Sequence, residues 1–284
     1  MTSMLNSKVK RAQLMTLAIA IARRDYRRAQ TLARVLGPDS AAVGTWRYHG
    51  NQFANWLEDI SQVPTGQVFT RGNAKLPFFN FSALPVVTCP GAGICAEFCY
   101  SLKAWRYPSA YFAQCRNTVL VLEQSPHLVG AWHKLPVNVP VRLYVDGDFD
   151  SVETLAFWFR LLIEERPDLQ AYGYSKSFDV LENYTGAWPG NYKLNLSSGG
   201  NRVPSDKVRA LPITRGDFLT LPVPAHLAGK YDSPEYKREL RQAGRDRGID
   251  KAFLCPGKCG SCVRSGHACG QSSFKGLPIL IGQH

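Results

Sequence analysis

Near the start of the chain, apolar residues recur at helical spacing. Leu14, Leu17, Ala18, Ile21 and Ala22, then Ala29, Leu32, Ala33 and Leu36, predict a helix over 1–36 that stops at Gly37-Pro38. Between 41 and 80, Trp46, Tyr48, Phe53, Trp56 and Leu57 give enough apolar surface for a packed helix or hairpin. Pro77 to Pro85 is apolar but bracketed by prolines, so it reads as an extended, buried connection, with Val86-Val87 as a short strand beyond it. Ala110 to Leu122 reads as a helix following Pro108, with Cys115 as a small hydrophobe on its apolar face.

Further along, short apolar runs alternate with helical pattern. Pro140–Val145 is a strand, and Ser151 caps a helix over Val152–Glu165. Leu169–Tyr174 is a second strand, Phe178–Tyr184 a short helix and Tyr192–Leu196 a third strand. Asp217–Val223 and Leu277–Ile281 are further strand candidates, and Ser233-Pro234 opens a charged helix within 230–251. Strand, polar turn, helix, strand is the signature of parallel α/β structure. The expected fold is α/β: a partial or distorted β/α barrel over 71–250, a basic helical N-terminal extension over 1–70, and a cysteine-rich, metal-binding segment with a final strand over 251–284. In such folds the residues after the strands gather at one mouth. That places the Cys89 loop, Asp146, Asp148, Ser175, Lys176, Ser197 and Ser198 around one cavity.

Composition changes this picture in two ways. At 284 residues the chain buries a full core without disulfides. No apolar run is long enough to span a bilayer, and no secretory pattern precedes Arg23-Arg24-Asp25-Tyr26-Arg27-Arg28. A cytoplasmic protein is expected, where clustered cysteines read as metal ligands. Against 22 acidic residues stand 34 basic ones, a net charge of +12 that favours a polyanionic partner, nucleic acid before membrane. Lys8, Lys10, Arg11, Arg23, Arg24, Arg27, Arg28 and Arg34 oppose only Asp25 at the N-terminus. That segment is either a phosphate-contacting arm or a solvated helix packed on the body.

Seven of the eight cysteines fall into two groups. Cys255, Cys259, Cys262 and Cys269 lie in a glycine-rich turn with His267 among them, four thiols for structural zinc or an iron–sulfur cluster, with His267 able to replace Cys269. Cys89, Cys95 and Cys99 form a three-thiol loop made compact by Pro90, Gly91 and Gly93. Three thiolates either await a distant fourth ligand or keep one position open, the mark of a reactive site, with Phe98 and Tyr100 placed to shield a cluster. Asp148 after the second strand is a candidate base, nucleophile or holder of a cofactor amine, while Asp150 reads as a helix cap. Lys176 either pairs with an anion or lies on the surface; Ser197, Ser198 and Asn201 either bind a ligand's polar edge or form an ordinary loop. None of the six histidines sits in a nucleophile motif, and no Walker loop is present.

The three-cysteine loop with an aromatic residue before its last cysteine resembles the radical S-adenosylmethionine enzymes. That resemblance implies a [4Fe–4S] cluster on Cys89, Cys95 and Cys99, with S-adenosylmethionine on its open iron. Gly147-Asp148-Phe149 stands where those enzymes carry a Gly-Gly-Glu-Pro turn, and the C-x5-C-x3-C spacing departs from their C-x3-C-x2-C. A closer resemblance, over about residues 70 to 284, is to the phage and plasmid gene product 88 domain family. It is carried by Asn73-Ala74-Lys75 to Phe81-Ser82, Thr88-Cys89-Pro90-Gly91-Ala92-Gly93, Cys95, Cys99-Tyr100, Trp105-Arg106-Tyr107-Pro108, Arg142, Gly147-Asp148-Phe149, Tyr174-Ser175-Lys176-Ser177 and the terminal cysteines. It implies a mobile-element setting and no settled activity. The expected function is an iron–sulfur enzyme acting on nucleic acid or a nucleotide, with Asp146, Asp148 and Lys176 as catalytic candidates and Gly147, Asp148, Ser175, Ser197 and Ser198 at the cofactor. The alternatives are a zinc-stabilised nucleic-acid-binding protein without catalysis and a base-exchanging transglycosylase.

Overall fold

The computed structural model describes residues 11–37, 42–72, 76–263 and 267–283. The first ten residues of the predicted N-terminal helix lie outside them, Lys8 and Lys10 included, as do Pro38, Asn73-Ala74-Lys75, Gly266 and His284. What remains of that helix is two helices, α1 (Arg11–Ala22) and α2 (Tyr26–Arg34). Arg24 takes a left-handed φ of 58°, and the Asp25 carboxylate caps α2 by accepting from the Arg28 amide at 3.1 Å. The turn lets the two apolar stripes share one core, Leu17, Ala18 and Ile21 with Ala29 and Ala33. Helix α3 (Trp46–Trp56) follows, capped by Thr45.

The sheet begins upstream of where the pattern placed it. Strands β1 (Thr70–Arg71) and β2 (Phe79–Asn80) form inside and before the proline-bracketed stretch. Val86-Val87 is a turn instead of a strand, with Val86 at a φ of 70°. Helix α4 (Pro108–Leu122) matches expectation, and α5 (Pro126–His133) is additional. Then come β3 (Pro140–Leu143), α6 (Val152–Arg160, continued by a π turn to Glu165), β4 (Gln170–Ser175), α7 (Phe178–Asn183), β5 (Tyr192–Ser197), α8 (Asp206–Arg209) and β6 (Thr214–Leu221). Helix α9 (Pro234–Arg245) and two short strands, β7 (Phe253–Leu254) and β8 (Ile279–Gly282), complete the order.

The eight strands among the described residues join one sheet in the order β1-β2-β3-β4-β5-β6-β8-β7, and every pairing but β1 with β2 is parallel. The α/β class is as expected, but the sheet is open, with β1 and β7 at its two edges, so a closed barrel does not form. From β2 to β6 the order runs in one direction. Right-handed crossovers then put every connecting helix on the same face. Val141, Leu143, Ala171, Tyr192, Leu194 and Leu196 accordingly pack against Leu128 and Trp132 of α5, Leu155 and Trp158 of α6, and Phe178 and Leu181 of α7.

The opposite face carries the alternate residues: Arg142, Tyr172, Tyr174 and Asn195. It is covered by the cysteine-rich segment after β7, whose Ala268 and Cys269 pack on Tyr172 and Ile279. Helices α1 to α3 form a second core with α4 and with Leu84, Leu102 and Trp105 of the first cysteine loop. The N-terminal segment is thus packed on the body, and the Tyr111 hydroxyl of α4 donates to the Leu14 carbonyl at 2.6 Å. Among the described residues no helix is long and apolar enough to cross a membrane.

Candidate functional site

Residues 84–107 leave β2 and turn across the carboxyl ends of the next strands. Thr88 anchors the turn by donating to the Leu84 carbonyl at 2.6 Å. Beyond Cys89 the loop is pressed against two other strand ends. The Cys95 amide donates to the Gly199 carbonyl at 3.2 Å, the Asn201 amide to the Gly91 carbonyl at 3.0 Å, and Ala92 bridges Gly200. Two glycines make this possible. A Cβ on Gly91 would overlap the Lys176 carbonyl, and one on Gly93 would lie 2.5 Å from the Gly200 carbonyl. The sequence Pro-Gly-Ala-Gly is therefore a seat for backbone against backbone.

The acidic turn lies beneath that loop. Asp148 is 5% exposed, and both its oxygens are engaged: one accepts from the Phe149 amide and the other from the Lys176 amide, each at 2.8 Å. Burial raises its pKa, while the Lys176 and Phe149 amides, the Ser175 hydroxyl and the Lys176 charge oppose the rise. The Cys89 thiol is pushed up to about 12, by burial first and then by the Asp148 charge. Cys89, Asp148, Ser175 and Lys176 are thus neighbours, as the strand-end argument predicts. Asp146 points elsewhere, accepting from Gln114 of α4 at 2.9 Å, and burial raises its pKa too. Ser198 accepts from the Thr220 amide at 2.8 Å and so ties β5 to β6. Gly147, at a φ of 84°, turns the chain between the two acids.

Two residues here hold backbone conformations that bulky side chains avoid. Val86 has a φ of 70° and Tyr144 a φ of 55°; Tyr144 directly follows β3, and Val86 lies in the turn that leads from β2 to Cys89. Each costs about 1–3 kcal/mol, and such strain concentrates at working sites. Phe98 and Tyr100, placed by the sequence as shields, are 47% and 56% exposed, and only the Tyr100 hydroxyl turns inward, to the Val145 carbonyl at 3.0 Å.

The second group of cysteines lies on the covered sheet face. Burial raises the thiols of Cys255 to about 12 and Cys269 to about 11, and those of Cys259 and Cys262 also rise. The Cys255 thiol is raised further by Cys269, Cys259 and Cys262, so the four lie within electrostatic reach of one another. The Ala268 amide donates to the Cys262 sulfur at 3.2 Å. As donors these four soft thiols fit zinc or an iron–sulfur cluster. Among the described residues, however, no three His, Cys, Asp or Glu side chains close on a common point. His267 lies between Phe78 and Tyr172, tilted to both, with ring centroids 4.5 and 4.4 Å away, and burial drops its pKa to about 4. Among the described residues no two cysteines form a disulfide, and Cys115 is buried in α4 apart from both groups.

Sequence reasoning gave Arg142 no role, and the structure places it between the two cysteine groups. Its guanidinium lies 4.6 Å above the Tyr174 ring, within electrostatic reach of Tyr100 on one side and Cys259 on the other. Burial disfavours its charge, but the phenols of Tyr174, Tyr100 and Tyr172 and the Cys259 thiol outweigh that penalty. The available signal was its phase: it stands between Val141 and Leu143, on the face that also carries Tyr172 and Asn195.

No curated protein and no solved structure matches the chain. A family comparison does, over residues 57–271, which include the three-cysteine loop, the acidic turn and the terminal cysteines. The chain belongs to the gene product 88 family.

Proposed function

We propose that the chain is an iron–sulfur enzyme, laid out like a radical S-adenosylmethionine enzyme, that acts on nucleic acid or a nucleotide. The seat of the three-cysteine loop carries this reading. It follows the first strand of a one-directional parallel series and lies across the ends of β4 and β5, with Cys89 beside Asp148 and Lys176. One-directional winding is the arrangement a partial barrel uses. Cys89, Cys95 and Cys99 are the donor set, three soft ligands that leave one position open. A [4Fe–4S] cluster held there would supply an electron to a cofactor such as S-adenosylmethionine.

The chain's own residues do the rest. Asp148 ties the ends of β3 and β4 together and so fixes Gly147 and Ser175 where they would meet a cofactor. Lys176 supplies positive charge beside Cys89. The nucleic-acid part of the reading rests on the outer face of the same loop. Ile94, Phe98, Tyr100 and Tyr107 are exposed there, interleaved with exposed Lys103 and Arg106. Exposed aromatics among basic side chains suit unstacked bases and their phosphates. Phe98→Ala with Tyr107→Ala is expected to weaken binding of a single-stranded oligonucleotide at least tenfold, measured by fluorescence anisotropy, with binding falling steeply as salt rises.

The second reading is a zinc-stabilised nucleic-acid-binding protein, favoured by the exposed Arg23, Arg27 and Arg28 of the α1–α2 segment. A transglycosylase is less well supported, because Asp148 and Asp146 both already accept hydrogen bonds within the protein. Metal analysis separates the first two. Protein purified without oxygen is expected to be brown and to contain iron and acid-labile sulfide. Cys89→Ala, Cys95→Ala or Cys99→Ala should each lower the iron, and Cys115→Ala should not. A colourless protein holding zinc alone would overturn the iron reading and favour the second.

A further inference from the structure

We propose that the cavity between α3, α4 and the strap 64–67 binds a small anion that carries a flat ring, its oxyanion group on Arg116 and its ring on the aromatic wall alongside. The site is separate from the cysteines, and the proposal does not depend on whether they hold metal. Arg116 is the starting point. It lies within α4, is 8% exposed, and makes no ion pair among the described residues. Its partners are all neutral. Nε and Nη2 donate to the Asn117 side chain, Nη2 also to the Gln67 carbonyl, and Nη1 to the Thr65 carbonyl. A guanidinium has five N–H groups, and these contacts use four of them, which leaves one hydrogen on Nη1. Gly66 keeps the space beside that nitrogen clear, since a Cβ there would lie 2.7 Å from Nη1.

Neutral carbonyls hold the guanidinium in place but do not balance its charge, and a buried cation without an anion is costly. Arg116 also borders a cavity of about 400 Å³, within the range of small-molecule sites. Among the described residues that line it, Arg116 is the one arginine or lysine, and none is a carboxylate. Burial lowers the pKa of His49, another lining residue, which keeps its imidazole neutral. One side of the cavity is aromatic. Phe53 lies 5.6 Å from Phe112 and 6.0 Å from Trp56, and His49 stacks on Phe112 at 6.5 Å with the planes 21° apart.

This combination selects its ligand. Inorganic phosphate would use the guanidinium and leave the wall bare, and a neutral ring would use the wall and leave the charge unbalanced. A molecule with both parts uses both, through a charge-assisted hydrogen bond from Nη1 and contact with the rings. A nucleoside monophosphate and an aromatic carboxylate share that chemistry. The cavity also lies on its own side of α4. Gln114, two residues before Arg116 and so about 200° around the helix, is the residue that reaches the acidic turn at Asp146.

Isothermal titration of the full-length protein tests this, with adenosine and uridine 5′-monophosphates, the matching nucleosides, benzoate and inorganic phosphate as probes. At least one ring-bearing anion should bind one to one and at least tenfold more tightly than inorganic phosphate or either nucleoside. Binding of a monophosphate identifies a nucleotide as the ligand class, and binding of benzoate alone an aromatic carboxylate. Arg116→Gln should weaken that binding at least tenfold, and Arg116→Lys should recover part of the loss. Because Arg116 also holds the strap, Ala113→Leu is the second variant. It fills the cavity and leaves the contacts of Arg116 in place, so binding should fall at least tenfold with the urea midpoint unchanged. If no ring-bearing anion binds, or if binding withstands both Arg116→Gln and Ala113→Leu, the site is overturned. Equally tight binding of inorganic phosphate overturns the role of the wall, and equally tight binding of a nucleoside overturns that of Arg116. If the loss follows Phe98→Ala with Tyr107→Ala and not Ala113→Leu, the ligand sits on the outer face of the cysteine loop. That outcome overturns this site while supporting the proposed function.

Discussion

Gly91→Ala is expected to unseat the three-cysteine loop and destabilise the protein by about 3 kcal/mol or more. The new methyl group has no side chain to displace: it would meet the carbonyl group of Lys176 and, at 2.8 Å, the Ser177 amide, all backbone. Relief requires moving the loop or the end of β4, and both are tied. The Gly91 carbonyl accepts from Asn201, and the Lys176 amide donates to Asp148. Moving Lys176 would strip a buried carboxylate of one of its two amide donors, which adds a desolvation cost to the steric one. Urea unfolding measures the effect, with Gly130→Ala as the control. A Cβ at Gly130, inside α5, meets nothing within 4 Å, so that change should stabilise by about 0.5–1 kcal/mol. Gly93→Ala should follow Gly91→Ala, because it too meets backbone, at Gly200 and Asn201. Equal effects at Gly91 and Gly130 would mean that the loop does not sit on the strand ends.

This contrast also marks how far the sequence could be read. The strands at 140, 170 and 192 were legible because each joins a short apolar run to a polar turn, and their ends fall within two residues of expectation. From parallel strands alone it followed that Asp148, Ser175 and Lys176 would meet the Cys89 loop, since βα turns of one sheet share one edge. Elsewhere, local signals were present but went unread or were outweighed. Ser125-Pro126 is an N-cap followed by a proline at the first helical position, and it does open α5. Val86-Val87 has strand propensity, yet the loop's course forces Val86 into a left-handed conformation.

What composition could not reveal is which face of the sheet the C-terminal segment covers. A charged residue at the centre of a strand ordinarily marks the solvent side. Arg215 is enclosed, and Arg142 partly so, only because Cys255, Cys262, Ala268, Cys269 and Phe274, distant in sequence, fold back over Tyr172, Tyr174 and Phe218. The sheet stays open, short of a closed barrel, for a related reason. The winding is the winding of a barrel, but β6 pairs with β8, β7 takes the far edge, and closure would need β1 to meet β7. The final segment instead occupies the face that a closed barrel would fill with strand side chains.

That segment's attachment gives the second large expectation. Arg215→Met should cost about 3–5 kcal/mol, because it leaves buried acceptors unpaired at four points. Asn195 loses its partner at 2.6 Å, and its amide group is what holds the Cys269 carbonyl. The carbonyls of Phe274 and Leu277, each at 2.9 Å, lose theirs at the turn that leads into β8. The damage is therefore directional. The segment 255–277 should loosen while the helix-covered face, which Arg215 does not touch, keeps its packing. Hydrogen exchange would show this as lost protection at Cys255 and Phe253, whose amides donate to Leu280 and Pro278, with β3 and β4 still protected. Trypsin should cut faster at the exposed Lys258 and Lys275. Arg142, by contrast, makes no side-chain hydrogen bond among the described residues, so Arg142→Gln should shift stability by no more than about 1 kcal/mol. Of the two arginines on this sheet face, only Arg215 would then hold the cover in place. A uniform loss of protection in the Arg215→Met protein would instead mean that the segment and the sheet unfold as one unit.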